Sequence, residues 1–257
     1  MKPLKARIEE IKSNGYELDF GTVFEHAFEN YKKIAVYAGS MLLISFFLFI
    51  ILLTAIAIAV FGVGPVTEFL KPENLKPETF TGNFLLIYTA SIIFLNCLIS
   101  PFQAGFLKMA DCGEKGEEFH VSTIFEYYKS PYFGNIFIST LIITLMSSGL
   151  STIMKLVGIE SLGLLTSFTI SLVTLLTIPL IVFGKLNATE AIQSSIIIVL
   201  KQPFLILGLL IIAILGSLVG FMGFCIGIFF TLPFVYSMEY AIYNSIIGTD
   251  SDDKIEN

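Results

Sequence analysis

Five windows of the chain contain no Asp, Glu, Lys or Arg. They lie between Lys33 and Glu68, Glu78 and Lys108, Lys129 and Lys155, Glu160 and Lys185, and Lys201 and Glu239. About 20 apolar residues carry a helix across about 30 Å of hydrocarbon. The first four windows therefore each predict one span, near 34–61, 84–109, 132–152 and 162–183. The fifth apolar stretch continues from Pro203 to Ile247. As one helix it would be roughly 65 Å long, too long for a single crossing. Gly216, Gly220, Gly223 and Gly227 lie at its centre, and glycine suits a tight turn better than a helix interior. The stretch is read as a hairpin, 203–219 and 224–243. The pattern thus predicts an all-α polytopic membrane protein with six transmembrane helices.

A short cytoplasmic helix is expected before each odd-numbered span. The first starts at Thr22-Val-Phe-Glu25, the second at Thr123-Ile-Phe-Glu126 and the third at Asn187-Ala-Thr-Glu190. In each, a side-chain oxygen is placed to accept an orphan N–H, and a glutamate follows three residues later, as in a capping box. Val23, Phe24, Ala27, Phe28 and Tyr31 then share one face, the stripe of an interfacial helix. The second span of each pair carries a late proline: Pro101, Pro179 and Pro233. Three helix-plus-hairpin units follow from this, about 20–110, 121–184 and 187–247. In domain terms, 1–19 is a cytoplasmic N-terminal segment, 20–248 the membrane domain and 249–257 an acidic disordered tail.

Composition agrees with this class. The chain has 257 residues, 55% hydrophobic and 14% charged, against about 45–50% and about 25% in soluble domains. Its net charge is −6, and Arg7 is its single arginine. That argues against a nucleic-acid partner. Cys97, Cys112 and Cys225 are widely spaced and odd in number, which is no disulfide or zinc framework. The polar stretch before the first apolar run is too long, and the run itself too long, for a cleavable signal. Twelve of the fifteen lysines and arginines fall on the side of the N-terminus in the six-span scheme; Lys71, Lys76 and Lys155 fall on the other. The positive-inside rule then puts both termini in the cytoplasm.

Segments such as Phe24-Glu-His-Ala-Phe-Glu-Asn-Tyr-Lys32, Ala191-Ile-Gln-Ser-Ser195 and Ile242-Tyr243 resemble a loose group of bacterial membrane proteins. The group is similar to the membrane domain attached to some glycerophosphodiester phosphodiesterases, with stand-alone relatives of uncharacterised role. The likeness spans about 20–248 and is one of hydrophobicity and small residues. It implies a multi-pass protein of the bacterial inner membrane. The soluble phosphodiesterase barrel is absent, so no catalytic residue carries over.

Candidate chemistry is sparse. His26 and His120 are the two histidines. Asp111, Cys112, Glu117, Glu118 and His120 form a mixed cluster whose spacing matches no metal motif, and it reads as a solvated acidic loop. No metalloprotease, nucleophile-elbow or Walker pattern occurs. Catalytic, cofactor and metal residues are therefore expected to be absent. Glu239 is the exceptional ionisable residue inside an apolar run and the candidate solute or ion contact. Asn96, Gln103 and Asn135 are polar residues near spans. Thr140, Thr144, Ser147 and Ser151 form one hydroxyl stripe; Ser167, Ser171, Thr174 and Thr177 form another. Both follow one helix face and read first as a helix-packing seam, with a polar solute path as the rival. Three functions stay open. One is a non-enzymatic lipid-associated or complex-organising component, with the lipid bilayer and other membrane proteins as partners. Another is a permease-like protein for a small or apolar solute, which a cavity ending at Glu239 would favour. The third is a lipid-modifying enzyme, which a convergent Asp, Glu or His pair at headgroup depth would favour.

Reporter fusions are expected to place both termini in the cytoplasm and residues 65–83 and 155–161 outside. A C-terminal fusion reporting from the outside would break the six-span scheme.

Overall fold

The computed structural model describes residues 4–71, 82–223 and 226–248. The expected tail at 249–257 and Cys225 lie outside them. Every regular element among the described residues is helical. In chain order these are α1 (Leu4–Asn14), α2 (Phe20–Phe61), α3 (Val63–Phe69), α4 (Gly82–Lys115), α5 (Val121–Lys129) and α6 (Phe133–Leu156). Then follow α7 (Glu160–Val173), α8 (Thr177–Val182), α9 (Ala188–Lys201), α10 (Pro203–Leu218), a 3₁₀ turn (Val219–Met222), α11 (Gly227–Thr231) and α12 (Pro233–Ile247). Five helical segments among the described residues are long and apolar enough to cross a membrane: Phe20–Phe61, Thr89–Lys115, Phe133–Met154, Ser161–Val182 and Pro203–Met222. The stretch expected as a sixth span is divided before Pro233 into α11 and α12, of 5 and 15 residues.

The first short helix and the first span are one element. α2 runs unbroken for 42 residues, because nothing between Lys32 and Phe61 is a proline or a turn signal. Its cap lies three residues upstream of the expected Thr22. The Asp19 carboxylate accepts from the backbone N–H of Thr22 at 2.8 Å and from its hydroxyl at 2.7 Å. Both donors hold the Asp19 carboxyl below its ordinary value. α5 also starts early, after His120, whose backbone N–H donates to Thr123 Oγ1. The third start falls where the spacing puts it: Asn187 Oδ1 accepts from the Glu190 N–H at 2.9 Å.

The segment before residue 20 is not a detached polar tail. α1 buries Ile8 and Ile11 against the main core, which α9, α10 and α12 also build. Lys5 Nζ meets Glu190 Oε1 at 2.7 Å, and the Tyr16 hydroxyl donates to the Ile198 carbonyl at 3.0 Å. Lys5 draws the exposed Glu190 carboxyl below its usual range. Leu4, Ile8 and Ile11, spaced 4 and 3, are the sequence signal for this face.

Two tight features shape the membrane part. At the α10–α11 turn, a Cβ on Gly220 would come within 2.6 Å of the Gly227 carbonyl carbon, so the chain reverses only with glycine there. Between α7 and α8 the helix breaks at residues 174–176, ahead of Pro179, which has no N–H to give. Ser195 of α9 repairs the break. Its hydroxyl donates to the Val173 carbonyl at 2.9 Å and accepts from the Leu176 N–H at 3.1 Å. In hydrocarbon every backbone polar group needs such a partner.

The helices α2, α4 and α12 meet around Asn30, which is fully buried. Its Nδ2 donates to the Ala110 carbonyl at 2.7 Å, and its Oδ1 accepts from the Ser237 hydroxyl at 2.9 Å. Tyr31 adds a hydrogen bond from its hydroxyl to the Phe230 carbonyl at 3.1 Å. Removing the Ser195 hydroxyl leaves both backbone groups of the break unpaired. Ser195→Ala is expected to cost about 1–3 kcal/mol, read as earlier thermal unfolding in detergent and faster hydrogen exchange at the Leu176 amide.

Candidate functional site

The two hydroxyl stripes face each other across α6 and α7. At one end Ser151 meets the α7 backbone at Gly163. A Cβ on Gly163 would lie 3.0 Å from Ser151 Oγ and 3.2 Å from the Ser151 carbonyl oxygen, so α7 approaches α6 closely there. Below this point the helices part around a cavity of about 320 Å³. From α6 it is lined by Ser139, Thr140, Thr144 and Ser147. Ser167, Ser171, Thr174 and Thr177 line it from α7, the break and α8. Asn96 and Gln103 of α4 and Glu239 of α12 complete its polar wall, and Ile143, Ile170, Leu175 and Ile178 supply apolar surface. Of the eight stripe residues, Ser151 is the one that does not border the cavity. The stripes are thus a close seam at Ser151 and a cavity wall elsewhere.

Several of these groups already use their hydrogens. The Thr174 hydroxyl donates to the Ile170 carbonyl at 2.7 Å and the Ser139 hydroxyl to the Ile136 carbonyl at 2.9 Å. Thr144 donates likewise to the Thr140 carbonyl. Asn96 Nδ2 donates to the Ile92 carbonyl at 2.9 Å, which leaves its amide oxygen and its second N–H for other partners. The lone pairs of these oxygens remain as acceptors. Thr177 is 1% exposed, and its hydroxyl has no hydrogen-bond partner. Among the described residues no lysine, arginine or histidine borders the cavity. Among the described residues the Glu239 side chain has no hydrogen-bond or ion-pair partner.

The remaining candidates lie elsewhere. His26 Nε2 is 3.2 Å from Glu114 Oε1, joining α2 to α4. Glu114 also takes Asn30 Nδ2 at 3.3 Å and Lys33 Nζ at 3.9 Å. His120 caps α5 with its backbone and is exposed. The cluster expected as a solvated loop is divided. Asp111 is 1% exposed, on the last turns of α4, where it meets Lys108 at 2.8 Å, Lys115 at 2.9 Å and the Tyr240 hydroxyl at 3.2 Å. Cys112 is buried, as is Cys97. Among the described residues no three His, Cys, Asp or Glu side chains converge as a metal-ligand set. Asn135 Oδ1 accepts from the Ala188 N–H at 3.4 Å, outside the cavity.

Sequence spacing put each stripe on one face of its helix. It did not show that Thr174 and Thr177 border the same space as Asn96, Gln103 and Glu239. Compared with known protein families, with curated proteins and with solved structures, the chain matches none. The resemblance to phosphodiesterase-associated membrane domains therefore rests on the sequence segments quoted above.

Volume separates the two ends of the stripes. Ser151→Leu pushes into the Gly163 backbone, and overpacking of this kind costs about 1–3 kcal/mol. Thr144→Leu and Ser171→Leu extend into open space and are expected to change stability by less than about 1 kcal/mol. Thermal unfolding of the three variants in one detergent checks the ordering.

Proposed function

We propose that the chain is a non-enzymatic, permease-like membrane protein that binds a small solute between its helices. In this reading it crosses the membrane six times with both termini in the cytoplasm, and α11 and α12 together make the last crossing. The supporting observation is the cavity at the α4–α6–α7–α12 junction, with Glu239 on its wall and, among the described residues, no opposite charge beside it. Pockets for small molecules begin at about 300 Å³, so the space is of ligand size. Buried polar groups are normally paired, and an ionisable residue inside a membrane segment marks a solute or ion path by default. In the proposed orientation the Ser151–Gly163 contact closes the outer side, and Glu239 lies toward the cytoplasm.

The lipid-associated, complex-organising reading has the outer half of α2 in its favour, exposed without interruption from Phe46 to Ile56. Any lipid-facing span shows such a surface, so it does not separate the two readings. A lipid-modifying enzyme is favoured by the His26–Glu114 pair. That pair borders no part of the cavity, and Glu114 is shared with Asn30 and Lys33 in tying α2 to α4.

Water must reach a solute site and not a dry seam. Cysteines introduced as Ser147→Cys and Ser171→Cys are expected to react rapidly with a charged aqueous maleimide in membrane vesicles. Ser151→Cys, against the α7 backbone, is expected to react at least tenfold more slowly. Equal, slow labelling at all three positions overturns the solute-binding reading.

A further inference from the structure

We infer that the cavity selects a small organic cation with an ammonium head and a short hydrocarbon stem. The inference rests on the solute-binding reading above and adds the chemical class of the ligand. Charge on the cavity wall decides the class. Thr144, Thr174 and Ser139 have each given their hydroxyl hydrogen to a carbonyl of their own helix, and one Asn96 N–H goes to the Ile92 carbonyl. The oxygens of these four keep lone pairs as acceptors, beside the donors that Gln103, Thr177 and the other hydroxyls of the wall retain. Glu239 adds a carboxylate, which accepts only when ionised.

Among the described residues one carboxylate and no basic side chain border the space. The hydroxyl and amide oxygens beside it can accept from the N–H groups of a ligand. A carboxylate removed from water is stable as an anion only when a cation joins it. A monocation brings the site to neutrality, whereas an anion meets Glu239 with no compensation. Size and apolarity complete the choice. A bare alkali ion fills a small part of about 320 Å³. Ile143, Ile170, Leu175 and Ile178 give the rest of the wall a surface that a hydrocarbon stem covers. Thr177, buried and unpartnered, offers both a donor and an acceptor at the margin of the site.

The test is isothermal titration of the full chain in detergent with n-butylammonium chloride, n-butanol, sodium butyrate and sodium chloride at matched ionic strength. Butylammonium is expected to bind at least tenfold more tightly than butanol, and butyrate to give no heat beyond that of sodium chloride. Glu239→Gln is expected to weaken butylammonium at least tenfold, and Thr174→Val several-fold. Should Glu239→Gln fail to fold, the ranking on the unaltered chain and the Thr174→Val result decide the question. Three results overturn the inference: equal or tighter binding of butanol or butyrate, saturable sodium binding that butylammonium does not displace, and no butylammonium binding at all. If Ser147→Cys and Ser171→Cys label rapidly while butylammonium fails to bind, the ligand class falls and the solute-binding reading stands. If those cysteines stay unreactive, the solute-binding reading itself falls.

Discussion

The two hydrogen bonds of Ser195 hold a place where an apolar helix is cut among its neighbours. Pro179 makes the cut necessary, because it cannot donate and its ring crowds the preceding turn. Inside a membrane the freed groups need a partner from another helix. α9 provides it, and α9 is itself fixed at its start by the Asn187 cap and on one flank by α1. Thr174 in the break and Thr177 and Ile178 of α8 border the cavity together with residues of α4 and α12. A serine that does not line the cavity therefore secures the backbone of its wall.

The opposite wall depends on a second polar junction. Asn30 links α2 to α4 through the Ala110 carbonyl and to α12 through Ser237. Tyr240, three residues from that contact and one from Glu239, points its hydroxyl to Asp111 of α4. Helices in lipid gain little from excluding hydrocarbon, so close packing and such bonds set their positions. Glu239 is placed by its neighbours on the helix and not by a partner of its own.

The five long apolar helices were readable from charge-free windows because burying Asp, Glu, Lys or Arg in hydrocarbon is costly, and composition alone records that. The third short helix was readable from Asn187 and Glu190, whose spacing is local. The first two starts were displaced, since Asp19 and His120 cap with groups that the capping-box pattern does not require. α1 carries its apolar stripe in three residues only, Leu4, Ile8 and Ile11, within a charged segment. The unity of α2 was hidden by Lys32 and Lys33, which end the apolar run without ending the helix. Gathering Thr174, Glu239 and Asn96 around one space joins residues up to 143 positions apart. No periodicity carries that information.

The segments around the cavity differ sharply in stiffness. α4 contains Pro101, α7 and α8 are separated by a break, and α11 joins α12 at Pro233. Each is a place where a chain bends at low cost. α2 has none in 42 residues, and at 1.5 Å per residue it is a rod about 63 Å long. Its foot is held to α4 and α12 at Asn30, and Gly39 lies against the Phe230 backbone, where an added Cβ would be 2.8 Å from the Phe230 Cα. A mast of that length gives α11 and the helices with breaks or prolines a stiff reference, and it turns a small tilt at its foot into a displacement of many ångströms at its far end.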